Sequence, residues 1–207
     1  YIYKFIHKNE ITKVAFLKGN RRAIIGDKAG VITLLSFVNS VTCELVVQTT
    51  IINLKMPYIS LEVYPEDNVF ALASTRGFSV IRAGRRIEVL LCSEDENINP
   101  EICFSVEKFT ENVEMEKNET KEVSKNRILI CQNRSVFVFD VDCIDNKKID
   151  HWNFDLPTTN ENSNSNKLDS IIRCFIIKHL FFLLIFKNGE AVIIKYKTGE
   201  IVSKISD

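Results

Sequence analysis

The chain lacks net charge of either sign. Its 207 residues include 27 Lys and Arg and 27 Asp and Glu, which gives a formal net charge of zero at pH 7. Non-specific binding to nucleic acids and to anionic membranes normally depends on a net positive field. We therefore exclude nucleic acid as a favoured partner and expect at most peripheral contact with a membrane.

A long hydrophobic run is also absent. The most apolar stretch, residues 171–186, is interrupted by Arg173, Lys178 and His179 and is shorter than the roughly 20 residues that cross a bilayer. No charged segment followed by an apolar core and a cleavage site opens the chain. We expect a cytoplasmic protein with no transmembrane segment. Because Tyr1 already lies in strand-like sequence and no Met precedes it, we also expect a fragment of a longer polypeptide.

The short motifs of catalysis and of metal binding are missing. The sequence contains no Cys-x-x-Cys, His-Glu-x-x-His or Gly-x-Ser-x-Gly, and the segment from Gly26 to Gly30 lacks the Gly-Lys-Ser/Thr ending of a phosphate-binding loop. The three histidines, His7, His151 and His179, are far apart, and a lone histidine beside an apolar strand is typically structural. We predict no catalytic residue, no metal site and no cofactor.

The cysteines do not have the spacing of a disulfide framework. They are spread along the chain, and most lie inside apolar runs: Cys43, Cys92, Cys103, Cys131, Cys143 and Cys174. This usage is typical of buried thiols in a reducing compartment.

What the sequence does contain is a recurring strand–turn–strand unit. Four copies, at 23–35, 71–81, 128–139 and 182–194, consist of two apolar strands joined by a polar turn. The turns align on Gly30, Gly77, Ser135 and Gly189, which are separated by 47, 58 and 54 residues. Glycine suits a tight turn because it enters positive φ without a steric penalty. At the turn with Ser135, we expect Asn133 to carry the positive φ instead.

The repeat predicts an all-β fold, a partial β-propeller of about four four-stranded blades. We assign residues 1–207 to a single partial propeller, since an open set of four blades would expose sheet edges and closed rings usually need more blades. The missing blades should lie elsewhere in the polypeptide or on a partner. Two polar segments, the charged residues 107–126 and the Asn/Ser-rich residues 157–167, should be mobile loop inserts because they bury little apolar surface.

Two side-chain groups are weak candidates for ligand binding. Arg82, Arg85 and Arg86 form a basic cluster, which would bind an acidic peptide or a phosphoinositide head group, or would be a solvated hairpin tip. Asp140 and Asp142 alternate along a strand and therefore face one side of the sheet. A cation site and a solvated strand end are both open there, and the solvated end is favoured because no third oxygen ligand is indicated.

The segment 11–37, which contains the first copy of the strand–turn–strand repeat, resembles a divergent WD-type blade that lacks the Gly-His and Trp-Asp pairs. The order of Phe16-Leu-Lys-Gly-Asn-Arg21, Asp27-Lys-Ala-Gly30, the strand pair at 68–81 and the final segment at 197–205 resembles the propeller of the vacuolar-protein-sorting family, subunit eight of the CORVET endosomal tether. The resemblance implies a WD-type propeller, a Rab GTPase partner and a location at endosomal or vacuolar membranes. No functional residue is carried over, because no Rab-contact motif matches a position in this chain.

We therefore predict a non-catalytic scaffold for protein–protein interactions, which binds the other subunits of a membrane-tethering complex in vesicle trafficking. Propellers suit this role because rigid strands hold variable loops in fixed positions. Two alternatives stay open. One is a propeller module that binds phosphoinositide or acidic peptide through the basic hairpin, and the other is a scaffold subunit of an unrelated multiprotein assembly.

Overall fold

The computed structural model describes residues 7–39, 44–94, 98, 101–114, 120–143, 149–156 and 170–205. These residues form sixteen strands in four antiparallel sheets, and each sheet contains four strands in chain order. A single turn of 3-10 helix, Pro65–Asp67, connects two strands of the second sheet. No helix in the described part of the chain has the length and apolar character to cross a membrane.

The strands of the first two sheets follow directly in sequence. The first sheet contains β1 (Ile11–Phe16), β2 (Arg22–Asp27), β3 (Val31–Asn39) and β4 (Glu44–Asn53). The second sheet contains β5 (Ser60–Tyr64), β6 (Val69–Ser74), β7 (Gly77–Ala83) and β8 (Ile87–Ser93).

The third and fourth sheets repeat this arrangement. The third sheet contains β9 (Cys103–Glu114), β10 (Thr120–Gln132), β11 (Ser135–Asp142) and β12 (Ile149–Asp155). The fourth sheet contains β13 (Ile171–Ile177), β14 (Phe181–Phe186), β15 (Ala191–Lys195) and β16 (Ile201–Ile205).

The four predicted turns occupy the same place in each sheet, between the second and third strands. Gly30, Gly77 and Gly189 adopt φ values of 80°, 141° and 90°, and Asn133 takes φ 57° in the turn that has no glycine. A side chain at Gly30 would meet the carbonyl oxygen of Met56, because its Cβ would lie 1.8 Å from that atom. Glycine is required there by both the backbone angle and the close approach.

The chain divides into two compact units, residues 1–100 and 101–207. In the first unit the two sheets pack face to face around one apolar cluster: Leu17, Ile24, Ile32, Leu34, Leu61, Phe70, Leu72, Ile81 and Ala83. Alternation along the strands places these side chains on the facing surfaces of the sheets.

The second unit has its own core between the third and fourth sheets. Its buried members are Leu129, Cys131, Val136, Val138, Leu156, Ile171, Cys174, Phe182, Leu184, Phe186, Val192 and Ile194. In β14 the buried and part-buried residues alternate throughout, and in β11 they alternate from Ser135 to Asp140, as expected for sheets that bury one face more deeply than the other.

The prediction of a loop insert at 107–126 is wrong over most of its length. Residues 107–114 belong to β9 and residues 120–126 belong to β10, and the two strands pair from Thr120 with Glu114 to Cys131 with Cys103. At least one pair of opposite charges in the segment is compatible with a strand because it pairs across the hairpin, where Lys125 Nζ lies 2.6 Å from the Glu111 carboxylate. Phe109 also anchors the segment, since its side chain is buried. The second predicted insert, 157–167, lies outside the described residues.

Candidate functional site

The predicted basic hairpin is the turn between β7 and β8. Arg82 lies within β7 and donates from Nη1 to the Glu88 carboxylate at 3.2 Å, whereas Arg85 and Arg86 are exposed in the turn itself. Arg22, on β2, donates a hydrogen bond to the carbonyl oxygen of Ala83 and so attaches this hairpin to the first sheet. Two of the three predicted arginines are therefore accessible, and Arg82 is engaged in an ion pair.

A second polar site lies at the β2–β3 turn, where Asp27 is fully buried. Its carboxylate contacts His7 Nε2 at 2.7 Å and accepts a hydrogen bond from Asn9 Nδ2 at 2.9 Å. The backbone N–H groups of Ala29 and Val31 also donate to it at 2.9 Å. Burial alone would raise the pKa of Asp27, but these four interactions outweigh it and hold the pKa below the ordinary value of 3.8. The prediction that His7 is structural agrees with this arrangement.

A buried ion pair in the second unit is formed by Arg127 on β10 and Asp140 on β11. The Arg127 guanidinium donates from Nε and Nη2 to the two carboxylate oxygens of Asp140 at 2.7 and 2.6 Å, and Nη1 donates to the carbonyl of His179. The side chains of Arg127 and Asp140 are 1% and 4% exposed. The expectation that Asp140 marks a solvated strand end is wrong, because Arg127 neutralises its charge and supplies its hydrogen bonds.

Aromatic rings enclose the same guanidinium. Its central carbon lies 3.5 Å from the Tyr196 ring centroid, 4.4 Å from that of Phe109 and 5.7 Å from that of Trp152. Cation–π attraction of this kind strengthens as water is removed. The Tyr196 hydroxyl also donates to Asp140 at 3.2 Å, and burial together with the negative Asp140 raises the pKa of Tyr196 to about 12.

Three thiols converge in the core of the second unit. Cys103 on β9 and Cys131 on β10 are register partners, and Cys174 comes from β13 of the other sheet. The three Sγ atoms lie within 4.8 Å of one another. Cys131 and Cys174 are buried and Cys103 is part-buried. Within the part of the chain that the structure describes, this is the one group of His, Cys, Asp or Glu with the geometry to hold a metal ion.

Neither the Arg127–Asp140 pair nor the thiol cluster matches a short sequence motif, but the spacing of Arg127 and Asp140 does carry a signal. Arg127 and Asp140 are equally far from the Asn133–Arg134 turn, so a two-residue hairpin register would have paired them. The cysteines have no such local signal, because one of them comes from a different sheet. Their proximity is a product of tertiary packing.

The chain is similar to known proteins in structure and not in sequence. No protein-family model and no curated protein sequence matches the chain. Solved structures do match: the WD40 domain of Pan2 from Neurospora crassa has a TM-score of 0.50 at 15% identity, over 95% of this chain and 50% of that chain. The WD40 domain of SCAP from fission yeast has a TM-score of 0.55 at 12% identity, over 97% and 46%. The propeller domain of Cps50 (Swd1) from Myceliophteria thermophila gives 0.57 at 9%, over 97% and 58%.

The fold is that of a WD-type β-propeller. The chain spans about half the length of the propeller chains that it matches, and its four four-stranded sheets make it a partial propeller. In this propeller each turn aligned in the sequence lies between the second and third strands of a blade. Structural similarity at sequence identities of 9–15% establishes the fold and does not extend to function.

Proposed function

We propose that this partial propeller is a non-catalytic scaffold for protein–protein interactions. The observation that carries the proposal is β16, which ends the fourth sheet and exposes all five of its residues. Ile201, Val202 and Ile205 are 42%, 55% and 56% exposed. Large apolar side chains clustered on a sheet edge are typical of a surface that another protein covers.

The geometry of β16 supports a partner that is itself a protein. One edge of the strand pairs with β15, and a bulge between Ile193 and Ile194 shifts the register so that Val202 is an extra residue. The other edge has no partner strand among the described residues. Such an edge offers backbone N–H and C=O groups to an incoming strand, with apolar side chains on both faces to fix its position.

The same proposal extends to the class of complex. The resemblance to the vacuolar-protein-sorting tether family supports a subunit of an endosomal or vacuolar membrane-tethering complex, with the other subunits and a Rab GTPase as partners. Among the WD40 neighbours, SCAP is found in a solved complex of the SREBP and SCAP binding domains, so a propeller of this fold can bind a protein partner. A scaffold subunit of an unrelated assembly is the alternative within this class.

The test is affinity purification of the tagged full-length protein from its own cells, followed by mass spectrometry. The wild type should recover partners in stoichiometric amounts. With the double variant Val202→Lys/Ile205→Lys, the amount of partner recovered should be at least tenfold lower. The matched control is Val89→Lys on β8, which replaces an apolar residue of 53% exposure in the other unit.

Three results would decide between the classes. Recovery of the endosomal tether subunits supports the finer proposal, and recovery of an unrelated complex leaves the scaffold role with a different partner. Equal recovery by the wild type and the β16 variant would show that β16 is not the surface that binds the partners. Circular dichroism of each variant establishes that the fold is intact before the comparison is made.

A second candidate function rests on the exposed Arg85 and Arg86. Two neighbouring arginines exposed in a turn offer positive charge and hydrogen-bond donors to a phosphoinositide head group or to an acidic peptide. Binding to phosphoinositide vesicles should fall at least tenfold in Arg85→Ala/Arg86→Ala, with Arg76→Ala as the control for another exposed arginine of the same unit. Vesicle binding that is absent in wild type, or that persists in the double variant, excludes this candidate.

A further inference from the structure

The thiol cluster of the second unit is a feature that the scaffold role does not use. Cys103 and Cys131 face each other across neighbouring strands, and Cys174 approaches them from the facing sheet. The three side chains therefore come from three strands whose backbones are held by ladders of hydrogen bonds. A site built on such elements is preorganised, because its ligands do not have to be gathered from mobile loops.

The distances match those of a metal–thiolate site. Bonds from a metal to sulfur are about 2.3 Å long, so three sulfurs arranged in a triangle around one ion are about 4.0 Å apart. The Sγ atoms of Cys103, Cys131 and Cys174 all lie within 4.8 Å of one another. Closing around an ion requires each sulfur–sulfur distance to shrink by at most about 0.8 Å.

The surroundings select a soft ion. Cys131 and Cys174 belong to the apolar core cluster, so the ligand atoms are sulfur and the wall is hydrocarbon. Thiolate ligands favour Cu⁺ and Zn²⁺ over hard ions such as Mg²⁺ and Ca²⁺, which take oxygen ligands. Cys103 is part-buried, so it is the one of the three cysteines with appreciable exposure to solvent.

Charge and protonation are compatible with such a site. Hydrogen bonds from Cys131 and Cys174 lower the pKa of Cys103 to about 5, and the positive charge of Arg173 acts in the same direction. Burial raises the pKa of Cys131 and of Cys174, so these two thiols are protonated at neutral pH. Binding one ion to three thiolates requires the thiols to lose their protons to solvent.

We propose that Cys103, Cys131 and Cys174 form a three-thiolate site for one soft closed-shell metal ion, either Cu⁺ or Zn²⁺. Cu⁺ is satisfied by three sulfurs in a plane. Zn²⁺ prefers four ligands and would take a water molecule from the Cys103 side. The ion joins the third sheet to the fourth and so adds a crosslink to the core of the second unit.

The experiment offers each ion separately to the reduced full-length chain under anaerobic conditions, and removes unbound metal by gel filtration. Elemental mass spectrometry then measures the metal retained per chain, and circular dichroism measures thermal unfolding. We expect one ion per chain and a raised unfolding temperature in the wild type. Cys103→Ser should retain less than a tenth of this metal and show no metal-dependent stabilisation, whereas Cys92→Ser, at an exposed cysteine of the other unit, should behave as the wild type does.

The arms of the experiment separate the two ions. Retention of Cu⁺ alone assigns a three-coordinate site, and retention of Zn²⁺ with a fourth, light ligand in X-ray absorption assigns a four-coordinate site. Retention of neither ion by the wild type overturns the proposal, as does equal retention by Cys103→Ser and Cys92→Ser. Cys131→Ala and Cys174→Ala are measured alongside Cys103→Ser. If these two core variants fail to fold, Cys103→Ser still tests the proposal, because the part-buried position of Cys103 tolerates serine. Metal retention unchanged in all three would show that the thiols are apolar core residues only.

Discussion

Arg127 and Asp140 are register partners on β10 and β11, and the guanidinium of one donates to both carboxylate oxygens of the other. Because both side chains are almost fully buried, their charges have no access to bulk water and depend on each other. A shift of one residue in this hairpin would separate them and leave two buried charges unpaired. The ion pair therefore helps to define the register of the third sheet, in addition to the turn at Asn133.

Removal of one partner should be strongly destabilising. We expect Arg127→Met to lower the free energy of unfolding by about 3–5 kcal/mol, because it leaves the carboxylate of Asp140 buried and unpaired. The double variant Arg127→Met/Asp140→Leu should recover part of this loss. Denaturant unfolding followed by circular dichroism measures both. Glu111→Gln, which breaks the more exposed pair with Lys125 in the same hairpin, should cost less than about 1 kcal/mol. Equal losses in the two single variants would show that the Arg127 pair has no special role.

Tyr196 should make the second unit sensitive to alkaline pH. Its pKa is about 12 in the folded chain against an ordinary 10.0, because burial and the nearby Asp140 disfavour the phenolate. A pKa raised by folding contributes stability that is complete below pH 10 and lost as the pH rises through 12. In Tyr196→Phe the ring over Arg127 remains while the titrating group is gone. Between pH 9 and 12, the free energy of urea unfolding should therefore fall less in the variant than in the wild type. An equal fall in both proteins would exclude Tyr196 as its origin.

Asp27 should make the first unit sensitive to acid. Its pKa is held below 3.8 by the hydrogen bonds that it accepts, so its contribution is complete above that value and declines as the pH falls through the lower, folded-state pKa. We expect Asp27→Asn to weaken the turn at neutral pH and to flatten the acid dependence of hydrogen exchange at the amides of Ala29 and Val31. Glu66→Gln, at an exposed carboxylate of the same unit, should leave both unchanged. An acid dependence identical to that of the wild type would exclude Asp27 as its origin.

Gly30 and Gly189 allow the cost of backbone angle to be separated from the cost of a clash. Both have positive φ, but a Cβ at Gly189 meets nothing within 4 Å, whereas a Cβ at Gly30 lies 1.8 Å from the Met56 carbonyl oxygen. Gly189→Ala should destabilise its unit by about 1–2 kcal/mol through the backbone angle alone. Gly30→Ala should cost more, because the Met56 backbone has to move. Thermal unfolding of the two variants provides the comparison, and equal losses would show that the segment around Met56 yields freely.

The turns show how much of the fold was accessible from the sequence. Each aligned position lies between the second and third strands of a sheet, because the backbone angle of a tight turn is a local property that glycine or Asn133 reveals directly. The charged hairpin of β9 and β10 was misjudged because its net composition resembles that of a loop. Its strand character depends on pairing across the hairpin, as between Lys125 and Glu111, and composition does not record pairing.

The candidate sites were less accessible for a related reason. The basic hairpin was visible as three arginines close in sequence, but only the structure separates the exposed Arg85 and Arg86 from the paired Arg82. Cys103 and Cys174 are far apart along the chain and lie on different sheets. Their contact depends on how two sheets pack, which no spacing rule describes.

Trp152, whose indole ring lies beside the Arg127 guanidinium, is the chain's single tryptophan. Intrinsic fluorescence excited at the indole therefore reports on the surroundings of one side chain within residues 101–207. A fluorescence transition that coincides with the loss of circular dichroism would mean that the two units unfold together. Separated transitions would mean that each unit has a stability of its own, and the emission would then identify which of them opens first.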